Sequence, residues 1–160
     1  MILRIATEED RKNLPALFAK LDEENPLPAG KKERFCEIVL PQENGFLAVA
    51  EDEKGLFAFV SADTEGDVML GIDKAHQNRG IAKMLFAMLE DWAFENKVKA
   101  AQATVCAQSL LPLHVFARHG FEGAKKNGEM LTLHKEFSDQ PRYVKPVVDA
   151  NELLNWPFTD

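Results

Sequence analysis

The segment Leu70-Gly71-Ile72-Asp73-Lys74-Ala75-His76-Gln77-Asn78-Arg79-Gly80-Ile81-Ala82 carries the residue types of an anion-binding turn. It reads as the end of a strand, a polar turn and the start of a helix. A helix N-terminus leaves its first N–H groups without acceptors, and the aligned peptide dipoles gather about half a positive charge there. Such an end suits a phosphate. Gly80 and Ala82 keep the approach to those N–H groups clear, and glycine also permits the tight turn. There is no Lys-Ser/Thr pair closing a GxxxxGK pattern and no GxGxxG, which disfavours a nucleoside triphosphatase or a dinucleotide-binding enzyme. A glycine-bearing strand-to-helix turn also occurs in many α/β proteins that hold no ligand there.

Other reactive side chains form no recognisable constellation. His114 and His119 lie around a helix with no serine and carboxylate pattern beside them, so a hydrolase triad is not supported. The four histidines lack metal-ligand spacing, and the expectation is that no metal is bound. Cys36 and Cys106 fall in apolar segments without CxxC spacing, so neither a disulfide framework nor a zinc site is indicated. A cysteine in an apolar strand is a packing residue far more often than a nucleophile.

The elements that must position the turn follow from periodicity. At 160 residues with 46% apolar content, the chain suits one domain with an ample core. Residues 2–6 read as a strand. Thr7 with Asp10 forms a capping box for a helix burying Leu14, Leu17, Phe18 and Leu21, which Pro15 should kink or start late. A loop over 23–30 leads to a short helix through Phe35, Ile38 and Val39. The runs 46–50 and 56–60 are apolar on both faces and read as a hairpin turned by 51–55, in the middle of a sheet covered on both sides. Residues 64–67 turn the chain into the strand 68–72 that feeds the anion turn. Ile81, Leu85, Met88, Leu89 and Trp92 then recur at helical spacing. A strand over 103–107 follows, then a helix from about Pro112 ended by Gly120, and a closing pair over 121–124 and 129–137.

The net charge of −7 and the absence of a basic stripe disfavour nucleic acid as a partner and favour a cationic or neutral amine. No segment approaches the length of a membrane span, and the N-terminus carries no long apolar run. A cytoplasmic location is expected.

With its flanks, Gln77-x-x-Gly80-x-Ala82 resembles the pyrophosphate loop of the GNAT superfamily of acyl-CoA-dependent N-acyltransferases. Leu70-Gly71-Ile72-Asp73 resembles the end of that family's fourth strand, His119-Gly120-Phe121 its Gly-Phe signature, and Leu3 to Asp10 its opening strand and helix start. The resemblance covers roughly residues 2–137. It implies an α/β (α+β) domain over 1–137 with a mixed central sheet of about seven strands, the fourth and fifth splayed apart. The tail, 138–160, lies outside it and should pack through Leu153, Leu154, Trp156 and Phe158 on its own domain or on a partner subunit, making a homodimer plausible.

The resemblance also implies a function, transfer of an acetyl group from acetyl-CoA to an amine of a small molecule, peptide or protein within a ternary complex. The backbone of Gly71 and Ile72 would pair with the pantetheine arm. Gln77, Asn78, Arg79, Gly80, Ile81 and Ala82 would hold the pyrophosphate, with Ser109 and Phe116 at further family contact positions. An ammonium acceptor must lose a proton before attack, and Glu65 and Asp67, at the head of the fourth strand, are the candidate bases. Many family members place a tyrosine, the acid for the leaving thiolate, where this chain has Phe116. Water could replace that acid, Tyr143 or another donor could reach in, or the chain could be a non-catalytic acyl-CoA-binding regulator.

Overall fold

A computed structural model of the chain describes residues 1–24, 45–77, 79–106, 110–137 and 147–149. Eight strands build one mixed sheet: β1 (Ile2–Ile5), β2 (Gly45–Asp52), β3 (Gly55–Asp63), β4 (Asp67–Ile72), β5 (Ala100–Cys106), β6 (Glu122–Asn127), β7 (Met130–Glu136) and β8 (Val147–Asp149). Their spatial order is β6-β7-β5-β4-β3-β2-β1-β8. Among the described residues only β4 and β5 run parallel, and among the same residues three α-helices flank the sheet: α1 (Leu14–Glu24), α2 (Ile81–Glu95) and α3 (Leu110–Arg118).

The central strands are apolar on both faces because a helix layer covers each face. Phe46, Ala48, Ala50, Val60 and Ala62 pack with Leu85, Leu89 and the rest of the α2 face. Leu47, Val49 and Phe59 point the other way and meet Leu14, Leu17, Phe18 and Leu21 of α1. The even and odd positions of one strand thus serve two cores, as a period of two requires.

Several boundaries differ from the sequence expectation. Of the two outcomes expected for Pro15, the structure shows the late start. Residues 8–12 form a 3-10 turn, and α1 begins at Leu14 with Pro15 in its first turn, where a missing N–H costs nothing. The hairpin turn is two residues, Glu53 and Lys54, rather than 51–55, because a bulge at Ala50/Glu51 lets pairing continue to Asp52 and Gly55. β5 begins at Ala100, not at residue 103, α3 starts before Pro112, and β6 runs on to Asn127 past a register shift between Glu122 and Lys125. The helix expected around Phe35–Val39, and Cys36 with it, lies outside the described residues. From the tail, β8 pairs with β1 of its own chain and adds an eighth strand.

Arg4 lashes the start of the chain to the sheet. Its guanidinium donates to both Asp10 oxygens at 2.8 Å and to Glu51 at 2.9 Å, and the Thr7 N–H also donates to Asp10 at 2.7 Å. The Arg4 hydrogen bonds hold the Asp10 carboxyl below its usual pKa against the opposing effect of burial, and the Thr7 N–H adds to them. A depressed carboxyl pKa stabilises the fold fully above the unfolded value, about 3.9, and that contribution is lost as pH falls through the folded value. Asp10→Asn should therefore lower the thermal midpoint at neutral pH, and the gap to wild type should narrow on acidification. A gap independent of pH in a thermal-unfolding series would contradict this linkage.

Candidate functional site

β4 and β5 share ladder pairs only at Asp67–Gln102 and Val68–Ala103. Beyond those positions each keeps its other neighbour, β4 with β3 out to Ile72 and β5 with β7 out to Cys106. The two strands therefore part after their first residues, leaving a slot whose closed end is at Asp67 and whose open end faces the turn after Ile72.

Hydrogen-bond alternation decides which backbone groups line that slot. The Asp73 N–H donates to the Phe57 carbonyl at 3.0 Å in the same register that pairs Gly71 with Phe59. In an antiparallel ladder the bonded positions recur every second residue. Gly71 therefore turns its N–H and carbonyl toward β3, and Leu70 and Ile72 turn theirs toward the slot. Of the expected slot-facing pair Gly71 and Ile72, the ladder therefore leaves Ile72 facing the slot and spends Gly71 on β3, with Leu70 on the slot side in its place, a difference residue types alone could not single out. Gly71 is glycine for packing: a Cβ there would stand 2.6 Å from Leu21 Cδ1 and 2.8 Å from Phe59 Cε1. The Ile72 carbonyl also accepts from Gln77 Nε2 at 3.2 Å, so the Gln77 side chain braces the turn.

At the open end, α2 begins with Gly80 as its N-cap, at φ 78° and ψ 4°. That left-handed conformation favours glycine, and a Cβ there would meet nothing within 4 Å. No side chain caps the helix and no acidic residue lies in its first turn. The first helical bond runs from the Met84 N–H to the Gly80 carbonyl at 3.2 Å, so the N–H groups of Ile81 and Ala82 have no acceptor within the helix. The Ile81 side chain is buried in the core, Ala82 is half-buried against it, and Arg79 is exposed. The positive end of the helix dipole and, among the described residues, N–H donors with no acceptor within the helix thus coincide at the mouth of the slot. Asn78 and Ser109 lie outside the described residues, as does Tyr143.

The turn is anchored from behind by a residue that sequence reasoning passed over. Asp73, 1% exposed, accepts from Lys20 of α1 at 2.8 Å and from the backbone N–H of His76 at 3.0 Å. Burial opposes its charge, yet the Lys20 and His76 hydrogen bonds prevail and hold its pKa below the usual value. The signal was the three-residue spacing from Asp73 to His76, that of an N-cap on a short helix.

At the closed end, Asp67 is half-buried and its side chain accepts from Gln102 Nε2, whereas Glu65 is exposed in the turn. Asp63 Oδ1 accepts the backbone N–H groups of both Glu65 and Asp67 at 3.0 Å, and the three carboxylates converge to within 4.8 Å. β4 rises about 3.3 Å per residue, which puts Asp67 about 16 Å from Ile72. Phe116 is 2% exposed, edge-on to Phe86 and Phe121 in the core, and offers no polar atom. Cys106 lies half-buried beside Met130 of β7.

Residues 8–121 match the model of the Acetyltransferase (GNAT) family. The chain belongs to the GNAT family. Solved GNAT-type structures share its fold at low identity. PaiA N-acetyltransferase from Thermoplasma acidophilum, determined in complex with coenzyme A, is 13% identical, with 86% of this chain and 99% of that one covered at a TM-score of 0.72. A GNAT acetyltransferase from Streptococcus pneumoniae is 19% identical, with coverages of 86% and 100% and a TM-score of 0.69. Ribosomal-protein-alanine N-acetyltransferase from Brucella melitensis is also 19% identical, with the same coverages and a TM-score of 0.64. No curated protein sequence matches the chain. The GNAT fold of these structures is the mixed sheet flanked by helices described above. Among the described residues no helix is long and apolar enough to cross a membrane.

Proposed function

We propose that this GNAT protein is an N-acetyltransferase that takes acetyl-CoA as cosubstrate and passes the acetyl group directly to a primary amine. The observation that carries the reading is the juxtaposition of the β4–β5 slot with the uncapped, glycine-led start of α2. The pyrophosphate would accept the N–H groups of Ile81 and Ala82, and the pantetheine amides would bond Leu70 and Ile72 along the slot. The thioester would then lie toward the closed end. There the amine nitrogen attacks the carbonyl carbon, and collapse of the tetrahedral intermediate breaks the C–S bond and releases the thiolate. The acceptor must first give up a proton. Of Glu65 and Asp67, Asp67 is the base this geometry favours, because it is half-buried at the slot's closed end while Glu65 is exposed in the turn before it.

Phe116 favours a second reading, a regulator that binds acyl-CoA without turnover, since this buried ring cannot protonate a thiolate. One experiment separates the two. A ligand at 100 times its Kd stabilises the native state by about 2.7 kcal/mol, about 5–11 °C in midpoint for a chain of this size. Acetyl-CoA and CoA should each raise the midpoint by that order. Thiol release with any member of an amine panel then establishes transfer, binding with no turnover across the panel leaves the regulator, and no rise with either ligand refutes both.

A further inference from the structure

His76 has carboxylates on both ring nitrogens. Nδ1 meets Asp73 Oδ1 within its own turn, and Nε2 meets Asp52 Oδ2, at the end of β2, at 2.9 Å. Its ring lies flat on Phe57 of β3, with centroids 3.8 Å apart and planes 12° apart. The side chain is only 15% exposed. Lys20 of α1 holds the other Asp73 oxygen, the Lys54 backbone N–H holds Asp52 Oδ1 at 2.8 Å, and Lys74 lies exposed in the same turn. Both carboxyls have pKa values below the usual range, Asp52 chiefly through the Lys54 N–H and Asp73 through Lys20 and His76 against its burial, so both face His76 as anions.

A neutral imidazole has one N–H and can donate to one carboxylate. Only the imidazolium can donate to both. The next residue after His76 is Gln77, where the anion turn begins. We propose that His76 is a positioning residue whose imidazolium ties the anion turn to the β2–β3 hairpin, so that its proton strengthens CoA binding without touching CoA. The inference rests on the CoA reading above. Deprotonation leaves one nitrogen lone pair facing a carboxylate. That contact is repulsive, and the turn loses its hold on either Asp52 or Asp73. Phe57 fixes the plane of the ring, so rotation cannot restore both bonds.

The test measures the CoA Kd by calorimetry across the range in which imidazoles titrate, for wild type, His76→Phe and Asp52→Asn. The phenylalanine keeps the stack on Phe57 and removes both hydrogen bonds. It also supplies the baseline, because the 3′-phosphate of CoA titrates in the same range. Relative to that baseline, wild-type affinity should fall about tenfold as pH rises, a change of about 1.4 kcal/mol. Asp52→Asn should flatten most of that fall. Parallel curves for wild type and His76→Phe would overturn the proposal. A second readout does not need CoA: ring ¹⁵N shifts of His76 and amide exchange over 77–82. Absence of CoA binding in all three proteins at every pH would sink the CoA reading. The tether then stands if amide protection over 77–82, taken relative to intrinsic exchange at each pH, falls with His76 deprotonation in wild type alone, and the tether falls if it does not.

Discussion

Gly80→Glu should weaken CoA binding by at least about 100-fold while leaving the fold in place. At φ 78° any L-residue pays a conformational cost of about 1–2 kcal/mol, worth a few degrees in midpoint. Sterically the change is mild, because a Cβ at Gly80 meets nothing within 4 Å. What the glutamate adds is a negative charge beside the N–H groups of Ile81 and Ala82, which have no acceptor within the helix and where the phosphates would lie. Two unit charges about 5 Å apart at an effective dielectric of 20 repel by about 3 kcal/mol, or about 100-fold in Kd. Gly80→Ala carries the backbone cost without the charge and should stay within about tenfold of wild type. Equal losses in the two variants would mean that backbone conformation, not anion repulsion, governs affinity. Gln77→Ala should matter less than Gly80→Glu, since the Gln77 side chain is engaged with the Ile72 carbonyl.

Gly66→Ala should cost the fold at least about 3 kcal/mol, seen as a fall of about 6–12 °C in thermal midpoint. Gly66 turns the chain from β3 into β4 at φ 90°, and a Cβ there would stand 2.5 Å from the Ala100 carbonyl oxygen. That oxygen belongs to the backbone at the start of β5 and cannot swing aside like a side-chain end. The Gly66 carbonyl also accepts the Gln102 N–H at 2.8 Å, the bond that closes the parallel pair. Left-handed strain and overpacking therefore act on the same residue. Relief would come from moving the turn off β5, which also opens the closed end of the slot. A loss under about 1 kcal/mol in denaturant unfolding would show that the turn shifts freely and that β4 and β5 are held together elsewhere.

How much of this was readable beforehand depended on the range of the interaction. The α2 stripe, the two-faced apolar runs of β2 and β3 and the Thr7–Asp10 box were legible because each is written within a few residues of itself. Strand and helix ends were less so. The bulge at Ala50/Glu51 and the register shift in β6 are settled by a partner strand, which local pattern does not contain. Asp73 looked like the end of a strand, and its burial depends on Lys20, 53 residues away.

By itself, then, the sequence determined the layered α/β architecture, the family and the place of the glycine-led turn between β4 and α2, since periodicity and the Gln-x-x-Gly-x-Ala spacing are local properties of a chain. The tertiary structure alone decided which backbone groups face the slot, why Gly71 and Gly66 are glycine, and that His76 stands between two carboxylates. Those are outcomes of register and of close approach between distant segments. A one-residue slip of β4 against β3 would turn Leu70 and Ile72 away from the slot, and only the packed core on both faces of the sheet forbids that slip.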